Sequence, residues 1–220
     1  MPPSLREWGA IAVHVHIPKM PHSVREFLAE ISTITVGILI ALSLEAGVEA
    51  LHHQELVEQA RENLRRELED NRNGLEKALA TERNAVAGLN RMSAYLQSES
   101  AGEKAAGENI AINIDFTEMR TAAWESTVAT QALAHMPYEE AQALALAYSA
   151  SRTFNGLQQE ARKPYVEMAA TMADDPTSMS KEQVAETQRA IRLNRMYATT
   201  TVQTGEDLLK VYDRALEKLD

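Results

Sequence analysis

The fold of this chain depends first on residues 31–44, which read Ile-Ser-Thr-Ile-Thr-Val-Gly-Ile-Leu-Ile-Ala-Leu-Ser-Leu and carry no charge. Extended back to Phe27, the apolar run reaches 18 residues, and an α-helix of that length measures about 27 Å. The hydrocarbon core of a bilayer is about 30 Å thick. Glu30 and Glu45 lie near the two ends of the run, where a carboxylate reaches headgroups or water. The run is therefore predicted to cross a membrane as a helix.

The residues that flank the run mark the start of the helix and leave two alternatives open. Ser23-Val24-Arg25-Glu26 has the pattern of a capping box, in which the serine hydroxyl and the glutamate carboxylate accept hydrogen bonds from free backbone N–H groups. A cleaved signal peptide is one alternative, because Val48-Glu49-Ala50 offers small residues for cleavage, although acidic residues crowd that site. A buried helix of a soluble domain is the other alternative, because the uncharged core is short.

Basic residues near the run predict its orientation. Lys19 and Arg25 lie just before it, whereas the first basic residue after it is Arg61. Because segments rich in lysine and arginine stay on the cytoplasmic side of a membrane, the N-terminus is predicted to be cytoplasmic. The rest of the chain is then extracytoplasmic.

One face of the predicted membrane helix carries small and polar residues. Gly37 and Ala41 are a small-xxx-small pair, which lets a second helix approach closely in lipid. We predict that this docking face binds a partner span or a second copy of the chain. The alternative is that small residues are merely common in membrane helices and that Glu30 reaches the interface. The docking face consists of Glu30, Thr33, Gly37, Ala41, Leu44 and Val48.

The segment before the run has a different pattern. Between Trp8 and Pro18, β-branched residues alternate with alanine and histidine, which is typical of an extended strand. We interpret it as an arm that lies on a partner chain or at the membrane interface, with Trp8 as a headgroup anchor. A tail with a chance pattern is the alternative. The arm residues are Trp8, Ile11, Val13, Val15 and Ile17.

The chain after the run has the periodicity of long helices. Apolar residues recur at three- and four-residue steps from Leu56 to Leu96, which predicts one helix to about residue 97. A bend is predicted near Gly74, since glycine weakens a helix interior. Residues 98–109 are predicted to form a loop. The alternating isoleucines of residues 110–114 predict a short extended piece that lays its apolar side on the helices.

Three further helices are predicted after this extended piece. Asp115 and Glu118 have the spacing of a cap for a second helix that reaches about His135. A third helix is predicted from Tyr138, with Pro164 bending or restarting it. A last helix follows, which is opened by the capping box Ser180-Lys181-Glu182-Gln183.

The predicted fold class is all-α. An N-terminal transmembrane helix continues into an up-and-down bundle of long helices and is preceded by the short extended arm. Three parts are predicted: the arm at residues 1–22, the transmembrane helix at residues 23–52 and the helical bundle domain at residues 53–220.

Composition and motifs exclude several kinds of functional site. The chain has no cysteine, which removes disulfides, thiolate metal sites and a cysteine nucleophile. Its net charge of −10 disfavours nucleic-acid binding. Phosphate-loop, serine-hydrolase and zinc-protease motifs are absent from the sequence, and neither His14-x-His16 nor Glu49-x-x-His52 has the further ligands of a metal site. No catalytic residue, metal or cofactor is therefore predicted.

Three further groups of side chains are assigned structural roles. Trp124 and Tyr148 are predicted to pack between helices, with a small-molecule pocket as the alternative. The acidic run at residues 67–70 is predicted to be a solvated helix face. His52 and His53 are interpreted as polar residues just beyond the apolar run.

Several stretches of this sequence resemble an uncharacterised family of small bacterial membrane proteins. The resemblance covers most of residues 24–150 and implies a single N-terminal span, a helical domain and no assigned activity. Together with the orientation predicted from the basic residues, this resemblance to bacterial membrane proteins gives an expected location in a bacterial inner membrane with a periplasmic body. The segment before Pro21 is not part of the resemblance. The stretches are Arg25-Glu26-Phe27-Leu28-Ala29-Glu30, residues 34–42 (Ile-Thr-Val-Gly-Ile-Leu-Ile-Ala-Leu), Glu67-Leu68 to Asn71, residues 123–125 with 131–136, and residues 144–148.

Together these observations predict a non-catalytic, single-pass membrane protein that docks as an accessory or structural subunit onto a larger membrane protein complex. Its predicted partners are the lipid bilayer and other membrane-protein subunits or a second copy of itself, without nucleic acid. An extracytoplasmic helical-bundle ligand sensor or binding module is the alternative, although only a short segment precedes the span to receive a signal. An enzyme with an unrecognised site is the third possibility.

Overall fold

The computed structural model describes residues 23–101, 110, 112–172 and 179–219. These residues form four α-helices: α1 (Val24–Ser100), α2 (Ala122–Ala129), α3 (Tyr138–Thr171) and α4 (Lys181–Leu219). A 3₁₀ turn (Ala132–His135) follows α2, and no strand occurs within the described ranges. The prediction of an all-α chain is therefore confirmed for this part of the protein.

Contacts divide the chain into two compact units, one up to Leu51 and one from His52 onward. In the first unit, α1 begins as predicted, because the Ser23 hydroxyl accepts a hydrogen bond from the backbone N–H of Glu26 at 3.3 Å. Every described side chain of this unit is exposed. Its large apolar side chains are each at least 45% exposed, and Ile31 is the least exposed of them.

The second unit, called the body below, has its own hydrophobic core. Most of the apolar stripe predicted for α1 is buried there, whereas its members Leu56 and Val86 are half-buried. Side chains of α3 and α4 pack against this stripe. Gly205 of α4 lies so close to α1 that a Cβ atom at this position would be 2.6 Å from Leu79 Cδ2. The largest buried side chains are Tyr148, Tyr212, Phe154, Leu64, Leu68, Leu75, Leu79, Leu89, Leu96, Leu144, Met168 and Ile191.

Side-chain bonds give the directions of the helices in the body. Arg72 bonds to Asp213 and Ser93 to Gln188, so α4 runs antiparallel to α1. Lys218 bonds to Glu139 at one end of the α3–α4 pair. Asn194 bonds to Pro164 O nearer the other end, so α4 is also antiparallel to α3. Consequently α1 and α3 run in the same direction.

The described part of the predicted extended piece, between α1 and α2, forms neither helix nor strand, and its predicted alternation is confirmed. Residues 110, 112, 114 and 116 are half-buried, whereas residues 113 and 115 are exposed. Ile112 packs against the core, and its carbonyl oxygen accepts a hydrogen bond from the Tyr165 hydroxyl at 3.3 Å.

Two asparagine side chains hold the end of this extended piece. The Asn71 amide accepts a hydrogen bond from the backbone N–H of Arg120 at 2.9 Å and donates one to its carbonyl oxygen at 2.8 Å. The Asn155 amide makes the same pair of bonds with Met119, at 2.8 and 2.9 Å. Backbone groups outside helices and strands need other hydrogen-bond partners, and α1 and α3 supply them here through side chains.

This arrangement corrects the prediction for the second helix. The helix begins at Ala122 instead of near Asp115, because the backbone of Met119 and Arg120 is already bonded to the two asparagines. It ends at Ala129, where Gln131 follows in a left-handed conformation with φ of 60°. The predicted single helix to His135 is therefore a short helix and a separate 3₁₀ turn.

The predictions for the last two helices have mixed outcomes. α3 continues through Pro164 to Thr171 as one helix, so the predicted restart at this proline is wrong. The capping box at Ser180 is confirmed in both directions. The Gln183 N–H donates to the Ser180 hydroxyl at 3.2 Å, and the Ser180 N–H donates to Gln183 Oε1 at 2.8 Å.

Candidate functional site

The docking face predicted on α1 is exposed at all six of its positions, Glu30, Thr33, Gly37, Ala41, Leu44 and Val48. A Cβ atom placed on Gly37 would meet no atom within 4 Å, so the space beside this glycine is open. The hydroxyl of Thr33 donates to Ala29 O at 2.9 Å, and that of Ser43 donates to Leu39 O at 2.7 Å. These bonds within the helix satisfy the hydroxyl donors without water, as an apolar solvent requires.

Among the described residues, one helix is long and apolar enough to cross a membrane, and it is α1. Its best 18-residue window has a mean hydropathy of 2.0, and none of that window is buried within the protein. The alternative of a buried core helix is therefore disfavoured, since a core helix is mostly buried and this stretch is exposed. The arm residues Trp8, Ile11, Val13, Val15 and Ile17 lie outside the described residues.

The body contains a buried polar cluster centred on Glu67. The Tyr148 hydroxyl donates to Glu67 Oε1 at 2.8 Å, and the backbone N–H of Ala123 donates to Glu67 Oε2 at 3.0 Å. Glu67 is only 9% exposed. The prediction of a solvated face at residues 67–70 is therefore wrong for Glu67, although Glu69 and Asp70 are exposed as expected.

Two tyrosines of this region are held in their neutral form. Burial, with the Glu67 carboxylate as the next cause, raises the pKa of Tyr148 far above the ordinary value for a phenol. Burial also raises the pKa of Tyr212 to about 12, against a lowering by its hydrogen bond with Ser151. Because neutral phenols are hydrogen-bond donors, this chemistry suits a structural cluster better than a nucleophile.

Trp124 and Tyr148 pack against each other, as the sequence predicts. Their ring centroids are 5.1 Å apart with an interplanar angle of 20°. Tyr148 is fully buried, and Trp124 packs against the same core cluster. The stacked rings therefore join the start of α2 to α3 and leave little of either ring for a small-molecule pocket.

A second buried carboxylate, Glu82 on α1, is incompletely bonded. It is 1% exposed, and within the described residues no group donates a hydrogen bond to its Oε2 atom. Desolvation and the nearby Asp115 carboxylate raise the pKa of Glu82. A hydrogen bond with the Asp115 backbone lowers it by less, so the pKa is about 7. Both side-chain polar atoms of the buried Gln158 also lack a partner among the described residues.

Of the two histidines just after the apolar run, His53 contacts a third histidine, His135. The rings of His53 and His135 stack with centroids 3.7 Å apart, which joins the first turn of the body to the 3₁₀ turn. In the described ranges, no group of three or more histidine, aspartate or glutamate side chains is placed to hold a metal ion. The histidine pair is thus a packing contact in this structure.

Sequence reasoning missed Glu67, Asn71 and Asn155 as residues that organise the body. The signal that points to the first two is their phase, because positions 67 and 71 lie three and seven residues after the buried Leu64. A polar residue in the phase of an apolar stripe faces the core and needs hydrogen-bond partners there. No protein-family model, curated protein or solved structure matches this chain.

Proposed function

We propose that this chain is a non-catalytic, single-pass membrane protein that serves as an accessory or structural subunit of a larger membrane protein complex. The observation that carries this proposal is the wholly exposed apolar stretch of α1. Exposed apolar surface in water costs roughly 25 cal/mol per Å², and soluble monomers rarely expose large continuous patches. A bilayer removes this cost, and the helix is of the length that a bilayer requires.

The docking face would bind the partner within the membrane. Without a hydrophobic driving force between helices in lipid, association depends on close packing and interhelical hydrogen bonds. Gly37 and Ala41 permit such packing, and Glu30 on the same face is better placed against a protein partner than against acyl chains. The partners are the lipid bilayer and other membrane-protein subunits or a second copy of the chain, and the N-terminal arm adds a contact outside the span.

The body is proposed to be an up-and-down helical bundle, which supports a structural role. Arg120 bonds to Asn71, and His135 stacks on His53, which comes earlier in α1. The chain between Arg120 and His135 therefore runs antiparallel to α1, which fits the alternating helix directions of such a bundle. Several polar side chains in its core, among them Glu67, Tyr148 and Ser151, bond to one another or to the backbone. A ligand sensor is less favoured, because Trp124 and Tyr148 stack in the packed core.

For the location we propose the inner membrane of a bacterium, in keeping with the family that residues 24–150 resemble. The N-terminus is cytoplasmic and the body periplasmic, a proposal supported by Lys19 and Arg25 just before the span.

Replacing both Gly37 and Ala41 by isoleucine should lower the amount of co-purifying membrane subunits by about tenfold, which corresponds to 1.4 kcal/mol of association free energy. Branched side chains at these positions keep a partner helix from approaching closely. The measurement is quantitative mass spectrometry of the tagged full chain, isolated from native membranes in mild detergent. The amount of chain in the membrane should not change.

A matched control places the same two changes away from the Gly37–Ala41 pair. Ala46→Ile with Gly47→Ile alters one alanine and one glycine, and positions 46 and 47 lie about 140° and about 120° around the helix from Ala41, in opposite directions. A Cβ atom on Gly47 also meets nothing within 4 Å. This control should retain the subunits; equal retention by both double variants would contradict the docking face.

A further inference from the structure

A surface groove lies between α3 and α4 of the body, and it has a volume of about 790 Å³. The two helices are antiparallel there, since Tyr212 shares a hydrogen bond with Ser151 and Lys218 bonds to Glu139. Small and apolar side chains, Ala143, Ala150 and Val211, line the groove together with charged side chains.

Leu146 is the exceptional side chain of this groove. It is 59% exposed, whereas the neighbouring Leu144, Ala147 and Tyr148 are fully buried. Ala143 and Ala150 lie one turn before and one turn after it on the same face of α3. The surface therefore offers a large apolar side chain between two hollows made by alanines, the elements of knobs-into-holes packing.

The charges that line the groove differ between its two helices. α3 contributes Glu139, whereas α4 contributes Arg214 and Lys218 together with Glu217. The ion pair between Lys218 and Glu139 has an N–O distance of 2.8 Å, but its side chains are 50% and 78% exposed, so both stay accessible from solvent. Arg214 is exposed and takes part in no side-chain hydrogen bond or ion pair described for residues 23–101, 112–172 and 179–219.

The apolar side chains and the charges of this groove complement those of a second, identical groove. If a two-fold axis runs along the helices, α3 of one copy faces α4 of the other, and an isologous contact repeats each pairing twice. Glu139 then faces Arg214 and Lys218 of the second copy, and the exposed Leu146 meets the apolar floor around Val211. The carboxylate on α3 and the net positive charge of the three charged residues on α4 thus favour another α3–α4 pair as the occupant.

We propose that the α3–α4 groove is the contact surface between two copies of this chain, with Leu146 of each copy inserted between α3 and α4 of the other. The inference goes beyond the proposed membrane function and does not depend on it, because every residue of the groove belongs to the body. It is also distinct from the docking face, which lies on the first unit.

Cysteine crosslinking tests this contact without background, because the chain has no cysteine. The full chain carrying Leu146→Cys, purified in mild detergent and treated with a short bismaleimide, should form a crosslinked dimer. Val166→Cys is the matched control, since Val166 lies on the same helix, is 60% exposed and is not part of the groove. Equal crosslinking at the two positions, or none at position 146, would overturn the proposal.

A second measurement separates this contact from association through the span. Leu146→Glu buries a charge in the contact and should weaken dimerisation at least about tenfold, as measured by light scattering over a dilution series. Gly37→Ile with Ala41→Ile leaves the groove intact and should remain dimeric. The opposite pattern, with a dimer that survives Leu146→Glu and is lost with the changes in α1, would assign self-association to the span and refute the groove.

Discussion

Replacing Glu67 by alanine should lower the free energy of unfolding of the body by about 4 kcal/mol, since each buried donor left unpaired costs roughly 1–3 kcal/mol. The change removes the acceptor of both the Tyr148 hydroxyl and the Ala123 backbone N–H. The measurement is urea unfolding of the full chain in mild detergent, followed by tryptophan fluorescence. The chain has two tryptophans, so a Trp8→Phe background leaves Trp124, which stacks on Tyr148, as the reporter.

The neighbouring acidic run supplies the control for this variant. Glu69 is exposed, so Glu69→Ala should change the free energy of unfolding by less than about 0.5 kcal/mol. Adding Tyr148→Phe to Glu67→Ala removes one of the two donors that Glu67→Ala leaves unpaired. The double variant should therefore lose less free energy of unfolding than the two single variants lose in sum. Similar small effects at positions 67 and 69 would contradict the buried cluster.

Replacing Glu82 by glutamine should stabilise the body by about 3 kcal/mol at pH 8 and by little at pH 4, since one pKa unit corresponds to about 1.4 kcal/mol. Burial raises the pKa of Glu82 to about 7 from an ordinary value of 4.5. Between these values the folded chain binds a proton that the unfolded chain has released, so this carboxyl lowers stability as the pH rises from 4.5 to 7. Above pH 7 the carboxyl is charged in the folded chain as well, so the free energy of unfolding is lowered by the full cost of burying the charge.

The pH dependence is best compared with that of an exposed carboxyl. Urea midpoints of wild type, Glu82→Gln and Glu69→Gln at several values between pH 4 and pH 8 provide the data. The loss of stability above pH 4.5 should be smaller in Glu82→Gln alone, while Glu69→Gln follows the wild type. A parallel pH profile for all three proteins would show that Glu82 is not the group responsible.

Local patterns in the sequence were sufficient to predict much of the helical structure. Ser23 and Ser180 mark the starts of α1 and α4 because a capping box uses residues only three positions apart. The apolar stripe from Leu64 to Leu96 is buried because its spacing matches one face of a helix. The alternating isoleucines around Ile112 likewise follow from a local period of two.

The errors arose where distant residues decide the local structure. The start of α2 is set by Asn71 and Asn155, which are 49 and 36 residues away from the backbone groups that they bond. The burial of Glu67 depends on Tyr148, which is 81 residues later in the chain. Composition alone shows only an acidic run at residues 67–70, whereas the phase relative to Leu64 identifies Glu67 as the acidic residue that faces inward with Leu68.

The two candidate sites show the same difference between features set by local sequence and features set by distant residues. The docking face could be predicted from sequence because its spacing is local. Its six residues are exposed on α1, and its binding of a partner stays a prediction. The α3–α4 groove was not found, because it requires knowing that Leu146 and Val211 lie on adjacent helices. Periodicity assigns a face to each helix, but it does not pair the faces of two helices.

Alkaline carbonate extraction of membranes that contain the full chain tests the central claim most directly, which is that the exposed apolar stretch of α1 lies in lipid. Carbonate releases proteins that are held only at the membrane surface, whereas a spanning helix keeps its chain in the pellet. We predict that the chain stays in the pellet and that its intact mass includes residues 24–51. Release into the supernatant, or a mature chain that begins near residue 51, would contradict the account.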